Sequence, residues 1–387
     1  MTNLWSYVIL GNMIPRIYNN LEDYIDPKRV LVIYGPRRVG KTTLLTKYLK
    51  KTPYRYKFDS GENITTQDIL SSQNFDRIFE YVGSYELIVI DEAQNIPNIG
   101  MGLKIIIDHK PGVRIIATGS SSFDLSNKLG EPLTGRKKTL TLFPVSQYEL
   151  KNIYSPYELK LKLSDFLIYG SYPDIMTAEI REKKIEYLHE IVNSYLLKDI
   201  LTLEQVKGSK ILVRLLKLLA LQIGSEVSLN ELSNKLAIDI KTVARYLDLF
   251  EKTFIIKSVG GFSRNLRKEV TSKYKYYFYD TGVRNAIIDQ FNALDVRNDV
   301  GALWENFIVM ERFKKQSYLN AYGSTYFWRT YDQQEVDIVE ERDGKAHGFE
   351  ITWSPKNKKK EPKDWKRAWS ETTYEVVTSE NYLDFVT

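Results

Sequence analysis

A five-residue apolar run, Val30 to Tyr34 (VLVIY), passes without a break into Gly35-Pro36-Arg37-Arg38-Val39-Gly40-Lys41-Thr42-Thr43. The β-branched run suits a buried parallel strand, and Thr43 to Leu49 reads as a helix with Leu44, Leu45 and Leu49 on one face. Between them the spacing Gly35-x4-Gly40-Lys41-Thr42 is that of a phosphate-binding loop. Gly35 and Gly40 permit backbone angles and close approaches that a Cβ forbids. Amides of such a loop point inward at phosphate oxygens, at the positive end of the following helix. Lys41 is placed to reach the β- and γ-phosphates, and the Thr42 hydroxyl to ligate Mg²⁺. The expected cofactors are therefore ATP and Mg²⁺, held by Gly35, Pro36, Arg37, Arg38, Val39, Gly40, Lys41, Thr42 and Thr43.

A strand–loop–helix of this kind needs a parallel sheet around it, and the chain supplies one. Strands alternate with helical stretches from about Pro27 to Leu150. LIVIDEAQ (Leu87 to Gln94) reads as a second buried strand and VRIIATGSSS (Val113 to Ser122) as a third. Asp91 and Glu92 close the second. A carboxylate at a strand end can meet the metal near the loop, so Asp91 is assigned to Mg²⁺ and Glu92 to the general base. The plain alternative is an Asp-Glu pair capping the next helix. Ser120 or Ser121, after the third strand, is positioned to sense the γ-phosphate or the attacking water; serines also simply cap helices. Arg136, in a Gly-containing loop before a further strand, either projects as a finger into a neighbouring subunit's nucleotide site or belongs to a basic exposed loop with Lys137 and Lys138.

At 387 residues the chain is too long for one ordinary core. No run approaches the ~20 apolar residues that span a bilayer, and the N-terminus lacks the basic segment of a signal peptide. There is no cysteine, which excludes disulfides and thiolate metal sites and fits a cytoplasmic protein. A net charge of +6 allows a nucleic-acid partner without requiring one.

MIPRIYNNLEDYI, GPRRVGKTTLL, VIDEAQNI, IATGSSSFDLSNKLGEPLTGR, LFPVSQYEL and GSYPD together resemble the prokaryotic and archaeal AAA+-type P-loop ATPases that carry a C-terminal domain of unknown function. The resemblance covers nearly the whole chain. It implies an α/β, parallel-sheet P-loop NTPase core at 1–150, a helical lid at 151–205, a winged-helix domain at 206–290 and a small α/β nuclease-like domain at 291–387. It favours Arg136 as a finger, and with it a homo-oligomer. It supplies no substrate.

Residues within the middle unit support a winged helix independently. Leu229, Leu232 and Leu236 share one helix face. After the turn, Ile240, Val243, Leu247 and Phe250 form the inner stripe of a second helix. Lys241, Thr242 and Arg245 then face outward, and a tyrosine-rich hairpin follows with Arg264, Arg267, Lys268, Lys273 and Lys275. Helix plus basic wing is a DNA-docking arrangement, here assigned to Lys241, Arg245, Arg267 and Lys268. Asp239, Asp248 and Glu251 dilute that charge, so a protein-packing role is the competing reading.

Glu305, Asp337 and Glu350 match the acidic positions of the PD-(D/E)xK nuclease fold and are candidates for a vestigial Mg²⁺ site, the alternative being a nuclease-like fold kept for binding or assembly. The terminal Glu-x-Lys of that pattern is Glu350-Ile351-Thr352 here, and threonine does not replace an ammonium; Lys356 is the nearest stand-in. Nuclease activity is therefore not expected. Trp365, within the basic run 354–367, and Trp369, just after it, are candidates for stacking on bases, the plain alternative being a solvated tail or loop. The functional expectation is an ATPase that switches conformation on DNA or a protein partner. The rivals are a signalling module with slow turnover and an ATP-gated nuclease.

Overall fold

A computed structural model describes residues 14–120, 132–196, 209–262, 274–330, 332–356, 359–368 and 372–387. The chain divides into two compact units. One holds residues 13–143 with 252–254; the described part of the other holds 144–251 and 255–387.

The first unit is built on five parallel strands, β1 (Val30–Tyr34), β2 (Tyr56–Ser60), β3 (Leu87–Asp91), β4 (Arg114–Gly119) and β5 (Lys137–Thr141), in the order β2-β3-β4-β1-β5. β1 and β3 are buried along their whole length, as apolar runs covered by helices on both faces must be. The expected strands stop earlier than the sequence suggested. β3 ends at Asp91 because Glu92 turns to φ 51°, and a short 3₁₀ turn, Ala93–Asn95, follows. The helix after the phosphate loop is Lys41–Leu49, with Leu44, Leu45 and Leu49 inside. All five strands run the same way, so the loops after β1, β3 and β4 gather at one end of the sheet.

In the second unit the helices Leu229–Leu236 and Ile240–Lys252 lead into a hairpin of β7 (Ile256–Gly261) and β8 (Tyr274–Phe278), with the short β6 (Glu226–Val227) beside it. Val243, Leu247 and Phe250 are buried, but Ile240 is 43% exposed and lies outside the expected stripe. The terminal segment carries the helix Val300–Tyr318, then β9 (Ser324–Arg329), β10 (Glu335–Arg342), β11 (Lys345–Ile351) and β12 (Thr372–Val377). Hairpin and terminal strands belong to one seven-stranded sheet, β12-β11-β10-β9-β7-β8-β6, joined where β7 pairs with β9 at Gly260 and Gly261. The sequence reading had placed them in separate domains.

Trp365, expected to stack on bases, is fully buried among Phe262, Trp328, Val336 and Ala346. It is a core residue. Trp369 lies outside the described residues.

Candidate nucleotide-binding site

The phosphate loop is shaped by two glycines. A Cβ on Gly35 would sit 2.1 Å from the Leu142 carbonyl oxygen, so only glycine allows β1 to turn there beside the end of β5. Gly40 stands at φ 92° in open space, and its constraint is conformational. Arg38 also takes a left-handed conformation, at φ 63°. Pro36 is buried and Val39 is fully enclosed, which anchors the loop from below, while Arg37 is half-buried. Arg16 braces the loop from a second direction. This buried side chain donates to the Val39 carbonyl and, at 2.6 Å, to that of Phe143.

Lys41 is buried and its Nζ donates to the carbonyls of Gly35 (2.7 Å) and Pro36 (2.9 Å). The ammonium is thus held inside the concavity that its own loop makes. Thr42 Oγ1 donates to Asp91 Oδ2 at 2.7 Å, and Thr43 lies exposed one residue further on. Residues 49 positions apart meet because β1 and β3 end at the same edge of the sheet.

The other oxygen of Asp91 accepts from Thr118 Oγ1, and Thr118 Oγ1 in turn accepts the Glu92 amide at 3.2 Å. The side chain of Gln94 donates both to Glu92 Oε2 and, at 3.1 Å, to Ser120 Oγ. Asp91, Glu92 and Ser120 therefore lie in one hydrogen-bonded string. Ser121 falls outside the described residues. The string depends on Thr118 and Gln94, which the sequence reading did not single out. Their signal was present: a small polar residue is the penultimate residue of one buried strand, and an amide follows three residues after the carboxylate that ends the other.

Arg136 is not part of this cluster. Its carbonyl accepts the Val30 amide at 2.8 Å, at the start of β1, whereas the phosphate loop leaves the end of that strand. Five residues at ~3.3 Å each put about 16 Å between them. The Arg136 side chain pairs with Asp108 at 2.8 Å and is 42% exposed.

The residues assigned to DNA divide. Lys241 and Arg245 are exposed on the helix Ile240–Lys252, as expected. Arg267 and Lys268, with Arg264 and Lys273, lie outside the described residues. Lys275 is a correction. Its side chain is only 1% exposed, and its Nζ lies 2.6 Å from Glu335, 3.0 Å from Glu305 and 3.9 Å from Asp337. It points into the terminal carboxylates rather than at solvent.

Those carboxylates are each engaged by other groups of the chain. Among the described residues no group of three His, Cys, Asp or Glu side chains is arranged to hold a metal ion. Glu305 accepts from Lys275 and, at 2.7 Å, from Tyr277; Asp337 accepts the Ile351 amide at 2.8 Å; Glu350 is paired with Lys359. Burial, and then the charge of Asp337, push Glu305 up to about 7. Burial and then Glu350 raise Asp337. Burial opposes the charge on Lys275, but Glu305, Asp337 and Glu335 outweigh it and hold the ammonium above the ordinary lysine range. Lys356 is exposed in a turn; the lysine at Glu350 is Lys359.

A parallel sheet of this order, with a glycine-shaped loop after β1 and an acidic end on β3 touching the loop threonine, is the architecture of a P-loop NTPase core of the AAA type. Residues 27–151 match the AAA domain family, 160–294 the domain of unknown function DUF8612, and 300–385 the domain of unknown function DUF4143. The chain thus joins an AAA domain to two domains of unknown function. It is 29% identical over 325 residues to an uncharacterized protein of Mycobacterium tuberculosis, covering 83% of this chain and 70% of that one. It is 27% identical over 343 residues to an uncharacterized protein of Haemophilus influenzae, covering 82% and 81%. Among solved structures, a Walker-type ATPase of Pyrococcus abyssi aligns over 72% of this chain and 97% of its own, at 16% identity and a TM-score of 0.49. No described helix is long and apolar enough to cross a membrane.

Proposed function

We propose that the chain binds ATP with Mg²⁺ at the phosphate loop, hydrolyses it, and uses the cycle to switch its engagement of DNA. The observation that carries the reading is the 2.7 Å contact between Thr42 Oγ1 and Asp91 Oδ2. A hydroxyl and a carboxylate oxygen converge there beside a buried ammonium, a donor set suited to a hard divalent cation next to a polyphosphate. When bound, Mg²⁺ neutralises and polarises the phosphate oxygens.

The chain's own groups do the rest. Loop amides and Lys41 Nζ hold the phosphates, the ammonium exchanging its loop carbonyls for phosphate oxygens. Gln94 fixes Glu92 through Oε2, which leaves Oε1 to take the proton of the attacking water. Ser120, on the same amide, transmits the state of the γ-phosphate to β4. Arg136 cannot reach its own loop from the opposite end of the sheet, so its role is in trans, in a homo-oligomer. Support for DNA comes from the exposed Lys241 and Arg245, in a helix–turn–helix followed by a hairpin that we read as a winged helix. The helical lid, winged-helix and nuclease-like divisions at 151–205, 206–290 and 291–387 are part of this proposal.

The test is the ATPase rate of the full chain against double- and single-stranded DNA and RNA, with strand integrity checked in the same tubes. Stimulation by DNA, with strands left intact, is expected. A rate indifferent to every nucleic acid would transfer the switch to a protein partner or to a slow signalling cycle. Cleavage would revive the ATP-gated nuclease.

A further inference from the structure

A second cluster of charge, outside the phosphate loop, lies in a cleft of 480 Å³ lined by Glu305, Glu335, Asp337, Thr352 and Lys359. Its chemistry is set by where the cations come from. Lys275 arrives from β8, Glu305 from the helix Val300–Tyr318, and Glu335 and Asp337 from β10. One ammonium therefore answers carboxylates from two separate elements, at 2.6, 3.0 and 3.9 Å. A second ammonium, from Lys359, answers Glu350. Tyr277, also on β8, adds a hydroxyl to Glu305 at 2.7 Å, and the Glu305 carboxylate packs against Gly224, where a Cβ would come within 2.9 Å of it.

These contacts conflict with a divalent metal. A small hard cation needs several carboxylate oxygens at about 2.0–2.2 Å, and the Lys275 Nζ already engages Glu305 at 3.0 Å and Glu335 at 2.6 Å. It would also be a like charge beside an ammonium whose side chain is only 1% exposed. Thr352, where the nuclease pattern has its lysine, adds no charge.

We propose that Lys275 is the resident cation of this cluster, supplied by the chain itself, and that its ammonium keeps divalent metal out of carboxylates that would otherwise take one. The terminal site is then a charge lock that fastens the β7–β8 hairpin to the terminal strands. This inference is independent of the phosphate loop.

The test is a titration of the nucleotide-free full chain with Mn²⁺, free Mn²⁺ being followed by its electron paramagnetic resonance signal. Wild type and Asp337→Asn are expected to give superimposable isotherms, so any weak binding at the phosphate loop cancels. Lys275→Met is expected to gain one site tighter than about 1 mM, and the Lys275→Met/Asp337→Asn double variant to lose it. Lys275→Arg, which keeps the charge, should stay like wild type. The proposal is overturned if Asp337→Asn removes a Mn²⁺ site from the wild type, or if folded Lys275→Met gains none. Should Lys275→Met fail to fold, the wild-type and Asp337→Asn pair still decides.

Discussion

The guanidinium of Arg136 is paired with Asp108 at 2.8 Å, at the end of the central sheet opposite the phosphate loop. A pair this exposed contributes little stability, ~0–1 kcal/mol. Holding the arginine out of the way of its own site is what the geometry achieves.

Arg136→Ala is expected to lower turnover by ~10³-fold or more, with ATP affinity nearly unchanged. Mixed with Lys41→Ala subunits, it should recover part of the activity. Co-assembled mixtures that stay inactive would remove the trans role. Asp108→Ala, which only frees the arginine, should fold normally and retain activity.

Gln94 is expected to matter through Glu92. Gln94→Ala should reduce kcat by up to ~10²-fold through loss of orientation while leaving nucleotide affinity alone. Glu92→Gln should bind ATP and retain it unhydrolysed. Equilibrium binding beside single-turnover kinetics checks both. Loss of binding in Glu92→Gln would make Glu92 a structural residue.

The half-buried Glu305 gives the chain a pH signature. Its folded value of about 7 lies above the ordinary 4.5, so between these pH values the folded state keeps a proton that the unfolded state has lost. Stability from this group is therefore full below about 4.5 and falls as pH rises towards 7. Lys275 and Tyr277 face the same carboxyl and limit the fall; Asp337, also raised, adds to it. Glu305→Gln should gain on the wild type as pH rises through that window, measured as urea midpoints from pH 4.5 to 7.5. A constant gap between the two proteins would contradict the assignment.

Trp365 should report on folding rather than on nucleic acid. Its ring is packed against Trp328 at 5.4 Å between centroids, and a Cβ on Gly348 would come within 3.1 Å of it. Trp365→Ala is expected to cost ~3–5 kcal/mol of stability, read from denaturant unfolding. A variant of unchanged stability that had lost DNA affinity would return the residue to the surface role.

What could be read in advance followed from burial. β1, β3 and β4 are closed apolar runs, and such runs admit few readings. β2 escaped notice because it is the edge strand, with Tyr56 and Phe58 about 40% exposed and no apolar run at all. Asp91 and Glu92 were legible because a phosphate loop tells a reader where to look for acids. Lys275 was not. A lysine in a basic hairpin reads as surface, and the partners that bury it come 30 or more residues later, on elements whose approach only the tertiary fold decides. Trp365 was obscured in the same way, by the lysines beside it in the chain.

The central claim is that the loop from Gly35 to Thr42 binds and turns over ATP. Its most direct test is steady-state ATP hydrolysis by the purified full chain beside Lys41→Ala, with folding of both confirmed by thermal unfolding. The account predicts Mg²⁺-dependent hydrolysis that disappears in the variant, together with weakened nucleotide binding. A folded Lys41→Ala protein that hydrolyses ATP at the wild-type rate would contradict it.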